Sequence, residues 1–201
     1  GDDPINSASL LLTVPKTESP VPCFLGYNFH GNHTTTDDLK VPITKSWVRD
    51  RKSPPTKGNR ANESGRGTSA SRWPYREIVD AGFGVATIYY GDVDPDTHDE
   101  FKNGIHPLFY EAGQTKPKET EWGSIGAWAW GLSRCLDYLE LDSSVDGEHV
   151  AVIGHSRLGK TSLWAGASDE RFWITISNNS GCGGAALSRR RFGETVEVIN
   201  R

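Results

Sequence analysis

Four stretches of the chain carry an apolar run of strand length, and three helical patterns fall between them. The first strand is predicted over Val21 to Phe29, rich in apolar and aromatic residues. A second, Phe83 to Tyr90, reads F-G-V-A-T-I-Y-Y and has the continuous apolar character of a buried strand. The third covers His149 to Gly154, where Val150, Ala151, Val152 and Ile153 are consecutive, and the fourth covers Phe172 to Ser177. A helix is expected to open near Trp73, with Pro74 in its first turn and Gly82 at its end. The clearest helix runs from Ile125 to Leu141. There Ile125, Trp128, Leu132, Leu136 and Leu139 follow a 3-4-4-3 spacing and make one apolar face. A third helix follows a tight turn after Gly154 and continues to about Ala167. Strands alternating with helices predict an α/β fold: a mostly parallel sheet with helices on both faces.

The polar positions gather in two long connections. Thr34 to Arg72 holds Pro42, Pro54, Pro55, Gly58, Gly65 and Gly67, and Gly91 to Glu121 is acidic at first and then basic. Loops of this length in a compact domain are usually functional or mobile. A Gly-rich turn, Gly181 to Gly184, leads into a basic and then acidic tail. The chain shows no internal repeat, and its 201 residues suit one domain.

Composition narrows the function. There are 22 Lys and Arg against 26 Asp and Glu, a net charge of −4, which argues against a dedicated nucleic-acid binder. A hydrophobic share of 35%, with 22 Gly besides, argues against disorder along the whole chain. No apolar run approaches the roughly 18 residues of a membrane span. Cys23, Cys135 and Cys182 lack the spacing of a disulfide framework or a zinc site. The chain begins at Gly1, contains 0 Met and has no signal-peptide pattern in its first 19 residues. A processed start or an internal piece of a longer protein is expected.

The turn V-I-G-H-S-R-L-G-K-T, Val152 to Thr161, supports opposed readings. Gly154 to Thr161 matches the phosphate loop G-x-x-x-x-G-K-[ST], in which backbone N–H groups wrap phosphate while Lys160 and Thr161 serve the outer phosphates and Mg²⁺. Against it, His155, Arg157 and Leu158 are bulky where phosphate must approach, and the next strand ends without an Asp for the metal. The alternative is a nucleophile elbow lifting Ser156 clear of the sheet. Gly154 stands two residues before the Ser and Gly159 three after, with Leu158 where the usual pattern has Gly. A plain connection is the third reading.

Beyond pattern, G-H-S-R-L-G-K-T-S-L-W-A-G-A-S-D-E-R-F (Gly154 to Phe172) closely resembles the glucuronoyl esterases of carbohydrate esterase family fifteen in a bacterial form, which carry G-x-S-R-x-G-K at the nucleophile. The likeness continues in S-N-N-S-G-C-G-G-A-A (Ser177 to Ala186), F-L-G-Y-N-F-H-G-N-H-T (Phe24 to Thr34) and Y-Y-G-D-V-D-P-D (Tyr89 to Asp96). The resemblance implies an α/β-hydrolase fold and cleavage of esters between lignin alcohols and 4-O-methyl-glucuronic acid on xylan. It implies Ser156 as nucleophile, Arg157 as an oxyanion stabiliser and Lys160 as a contact to sugar hydroxyls. It further implies a carbohydrate ester as partner, no cofactor, and a secreted or periplasmic location.

Such a Ser needs a His base and an acid to orient it. All six His precede Ser156, and the 201 − 156 = 45 residues after it contain none. Many relatives carry a Glu 23 residues after the nucleophile; here 156 + 23 = 179 is Asn179. The expectation is therefore the N-terminal part of one hydrolase domain, residues 1–201, inactive by itself, with base and acid beyond Arg201. The nucleotide-binding reading, and a catalytically dead carbohydrate-binding relative, stand as the alternatives.

Other candidates have plainer accounts. His30 and His33 form H-x-x-H without a third ligand at usual spacing and are expected to be structural. Asp92, Asp94 and Asp96 alternate as in a calcium loop, but Pro95 and the missing Gly and distal Glu break the pattern, and a loop stiffened by Pro with solvated carboxylates is expected. His155 is not expected to serve as base, since neighbours at such a turn point apart. The run Arg189 to Arg191 is expected to pair with Glu194 or Glu197. Trp128 is assigned to the core, and Trp47 and Trp73 are candidates for stacking on sugars.

Overall fold

The computed structural model describes residues 7–53, 56–187, 189 and 193–195. Five strands and three helices alternate along it: β1 (Leu10–Thr13), β2 (Val21–Asn28), α1 (Tyr75–Asp80), β3 (Gly84–Tyr89), α2 (Ser124–Leu139), β4 (Val145–His155), α3 (Arg157–Ser168) and β5 (Ile174–Asn178). They form one sheet in the order β1-β3-β2-β4-β5. β2 runs parallel to both β3 and β4, and β4 parallel to β5. Only β1 is antiparallel, pairing Leu10 with Ile88 through Thr13 with Val85.

The mostly parallel α/β sheet expected from the pattern is present, with one strand more than the pattern gave. β1 is a short edge strand whose L-L-L-T run shows no alternation. β4 starts earlier than expected because Val145 also pairs with Val21, across an irregularity before Cys23. The α1 helix is shorter, ending at Asp80.

Side-chain alternation along β2 splits the core between two faces. Tyr27 points to α2, donating its hydroxyl to the Trp128 carbonyl at 2.8 Å. Phe24 points the other way, its ring 5.5 Å from Phe83, and shares a cavity with Ile78 of α1. On α2 the expected stripe is buried at Trp128, Leu132, Leu136 and Leu139. β3 is buried at every position, as an interior strand covered on both faces requires.

The first long connection is packed against this frame. Thr34, Thr35, Val41 and Val48 are buried, and the Thr34 carbonyl accepts from Ser69 N–H at 2.8 Å. Pro54 and Pro55 lie outside the described residues. At the other side of the sheet β5 is an edge strand, and Trp164, Trp173 and Ile174 leave apolar surface there. The carboxyl ends of the parallel strands gather Phe29, Tyr90, His155 and Asn178, the place where open α/β sheets bind ligands.

Candidate active site at the turn after β4

Ser156 joins β4 to α3 in one residue. Its backbone stands at φ 56° and ψ −126°, a conformation that costs a non-Gly residue about 1–3 kcal/mol. The surroundings hold it there. Ser156 N–H donates to the Asn178 carbonyl at 2.9 Å, and the Ser156 carbonyl accepts from Gly159 N–H at 2.9 Å and Lys160 N–H at 3.1 Å. Gly154 permits the reversal: a Cβ on it would meet the Leu158 carbonyl oxygen at 2.0 Å and Ser162 Oγ at 2.5 Å. Gly159 lies 3.1 Å, by the same measure, from the Gly154 carbonyl and Ser180. Leu158 is tolerated in its unusual place because its side chain turns inward and is buried. The geometry is that of a nucleophile elbow at the start of a 12-residue helix, whose first N–H groups and dipole favour an anion.

The same geometry removes the phosphate loop. The N–H groups of Gly159 and Lys160 are already inside α3, so no loop remains to wrap a phosphate. Thr161 is fully buried, and its hydroxyl donates to the Arg157 carbonyl at 3.1 Å, so it does not face a metal.

Arg157, the first residue of α3, carries its guanidinium to the carboxylate of Asp96. Lys160, one turn on, is largely buried, with Nζ 3.1 Å from Glu194 Oε2. The same carboxylate oxygen accepts from Cys182 N–H at 3.1 Å. Among the described residues Glu194 serves Lys160 and the Gly-rich turn. Arg190, Arg191 and Glu197 lie outside the described residues. Asn179 is exposed, at φ 48°, just past β5.

No imidazole is hydrogen-bonded to Ser156 among the described residues. His155 is exposed and meets the edge of Phe29 at 6.4 Å. His30 is half-buried, and its Nε2 accepts from Arg51 Nη1 at 3.1 Å. Burial first, then the Arg51 charge, lowers this imidazole to about 4. A ring nitrogen occupied by Arg is no metal ligand. His33 is buried under Gly31, and burial lowers it as well. Among the described residues no three His, Cys, Asp or Glu are grouped to hold a metal.

The alternating Asp residues are not solvated as expected but go to three separate partners. Asp92 accepts from Thr44 at 2.6 Å, Asp94 is buried against His106 Nδ1 at 3.2 Å, and Asp96 faces Arg157. Trp128 is core, donating its indole N–H to the Asp94 carbonyl at 2.8 Å. Trp73 lines a cavity of about 600 Å³ that runs beside α1 to His155 and Asn178. Trp47 is partly covered, with Arg49 over its ring at 5.9 Å. The three cysteines are free and buried, and burial pushes the Cys23 and Cys135 thiols up to about 12.

The family profile described as "Glucuronyl esterase, fungi" matches residues 73–197. A carbohydrate esterase from an unknown prokaryotic organism is 58% identical over 180 residues, covering 90% of this chain and 41% of its own. A promiscuous CE15 esterase from a marine bacterial metagenome superposes with a TM-score of 0.85 at 56% identity, over 96% of this chain and 48% of its own. A glucuronoyl esterase from Solibacter usitatus superposes with a TM-score of 0.89 at 46% identity, over 100% of this chain and 50% of its own. The chain thus spans about half the length of the relatives it matches, or somewhat less.

Proposed function

The chain belongs to the glucuronyl esterase family, and from that membership we propose that it forms part of a serine hydrolase that cleaves glucuronoyl esters of xylan. The observation that carries the reading is the strained Ser156, presented between Gly154 and Gly159 at a helix N-terminus with Arg157 beside it. In the proposed reaction Ser156 Oγ attacks the ester carbonyl carbon while a base takes its proton. The carbonyl oxygen becomes an anion, stabilised by the Arg157 N–H and guanidinium. The C–O bond to the alcohol then breaks, the alcohol leaves with the proton, and water hydrolyses the acyl-enzyme to free the uronic acid.

Lys160 and Glu194 supply a donor and an acceptor side by side, one turn from the nucleophile. That pairing suits neighbouring sugar hydroxyls, each of which both donates and accepts. It leaves no net charge to reject a neutral ester. Since no imidazole among the described residues is hydrogen-bonded to Ser156, the base and its orienting acid belong, on this reading, to the rest of the protein. Residues 1–201 alone are then inactive. Xylan esters occur outside cells, which supports a secreted or periplasmic location on this reading.

The test uses the whole protein that carries this chain, with a methyl ester of 4-O-methyl-glucuronate and the matching galacturonate ester. The reading expects hydrolysis of the former at a kcat/KM about 10-fold or more above the latter, and a raised KM in Lys160→Met. Equal rates on both esters would reject the glucuronate assignment. Binding of glucuronoxylan without turnover would reject the hydrolase.

A further inference from the structure

We propose that Asp96 is a positioning residue for the reaction, fixing the Arg157 guanidinium at the place where it meets the oxyanion. The inference rests on the reading of Arg157 given above.

Arginine has a long, flexible side chain, and Arg157 is nearly half exposed. Left free, it would lose rotamer entropy each time the anion forms. Stabilising an oxyanion efficiently requires a donor that is already in position. Asp96, from 61 residues upstream, holds the guanidinium by a charge-assisted bond.

Asp96 is itself built in. Its Oδ2 accepts from the buried Tyr90 hydroxyl at 3.0 Å. Burial and the neighbouring carboxylate push that hydroxyl well above its usual range, so it remains a donor. Arg49 adds a second cation, its Nη2 3.0 Å from the Asp96 carbonyl oxygen and 3.7 Å from Oδ2. The backbone just before is anchored in the core: Asp94 N–H donates to the Tyr90 carbonyl at 3.1 Å, and Ile105 N–H donates to the Val93 carbonyl at 3.0 Å. Asp94 is tied to His106 and Trp128, and Pro95 restricts the step to Asp96. The second Arg limits how far the carboxylate cancels the charge of Arg157. The arrangement is a rigid bracket reaching one side chain of the elbow.

The test is a double-mutant cycle in the whole protein, on a benzyl ester of glucuronic acid, with kcat and KM measured separately. Asp96→Asn keeps size and an acceptor for Tyr90 but loses the charge. It should lower kcat about 10-fold with KM changed less than about 2-fold, as for an interaction made in the transition state. Asp96→Glu should recover part of the loss. In an Arg157→Gln background, already slow, Asp96→Asn should change kcat little. An unchanged or raised kcat in Asp96→Asn, beside a slow Arg157→Gln, would overturn the proposal and leave the role of Arg157 standing. Fully additive losses would also overturn it. Full activity in Arg157→Gln would sink the oxyanion reading and this proposal with it.

Discussion

Gly154 passes so close beneath Leu158 that a Cβ on the glycine would stand 2.0 Å from the Leu158 carbonyl oxygen. The two nearest atoms are backbone, which cannot swing aside as a side chain can. Gly154→Ala should therefore distort the turn and destabilise the fold by about 3 kcal/mol or more, at or above the upper end of ordinary overpacking. Gly159→Ala, whose Cβ would meet its neighbours at 3.1 Å, should cost less. Thermal or denaturant unfolding of the two variants checks both the size and the order.

Burial of His30, and after it the Arg51 charge, makes stability depend on pH. Unfolded, His30 takes up a proton near its ordinary 6.5; folded, it does so only near pH 4. Between those values the unfolded chain binds more protons, so this group's contribution is lost as pH falls from about 6.5 to 4. Proton NMR should find His30 titrating well below 6.5. Arg51→Gln should move its midpoint upward. A midpoint that stays in place would show that burial alone sets it.

A second pH effect lies lower. The Arg171 guanidinium beside Asp169 holds that carboxyl down to about 2, from an ordinary 3.8. The contribution is full above 3.8 and is lost as pH falls towards 2. Arg171 also reaches Asp137 and Glu140 of the α2 end at 2.9 and 2.8 Å. Because Arg171 is partly exposed, Arg171→Ala should cost only about 1 kcal/mol at neutral pH. That difference should shrink in acid unfolding curves below pH 3.8.

Thr161 separates the elbow from the phosphate loop. Thr161→Val removes a hydroxyl that serves only the Arg157 carbonyl, so it should cost about 1 kcal/mol of stability. Ester hydrolysis should persist. Mg²⁺–ATP should leave the melting temperature of the parent protein unchanged; a nucleotide-dependent rise would reinstate the phosphate loop.

The parts of the fold that could be read from sequence are those whose cause is local. Trp128, Leu132, Leu136 and Leu139 repeat at helical spacing, and they are buried as that spacing requires. Gly154 and Gly159 flank Ser156 in the sequence and touch in the structure, so the elbow was readable as one of two patterns. Geometry decides between them, because only the folded chain shows Thr161 inside the helix. What escaped is non-local. Leu10–Thr13 is a strand only by virtue of its pairing with β3, some 75 residues on by register from Leu12 to Ala86. Asp96 and Arg157 are 61 residues apart, and Lys160 and Glu194 are 34 apart. Each carboxylate had a plausible partner nearer in sequence, or a different role. D-V-D-P-D read as a broken calcium loop, and its residues instead divide among Thr44, His106 and Arg157.

The central claim is that Ser156 is the nucleophile, and its most direct test is the turnover of a benzyl glucuronate ester by the whole protein beside its Ser156→Ala variant. The account predicts that kcat falls by about 10³-fold or more in the variant, while its melting temperature holds, since the backbone strain at the turn is retained and only the hydroxyl is lost. Ester hydrolysis at the parent rate in folded Ser156→Ala would contradict it.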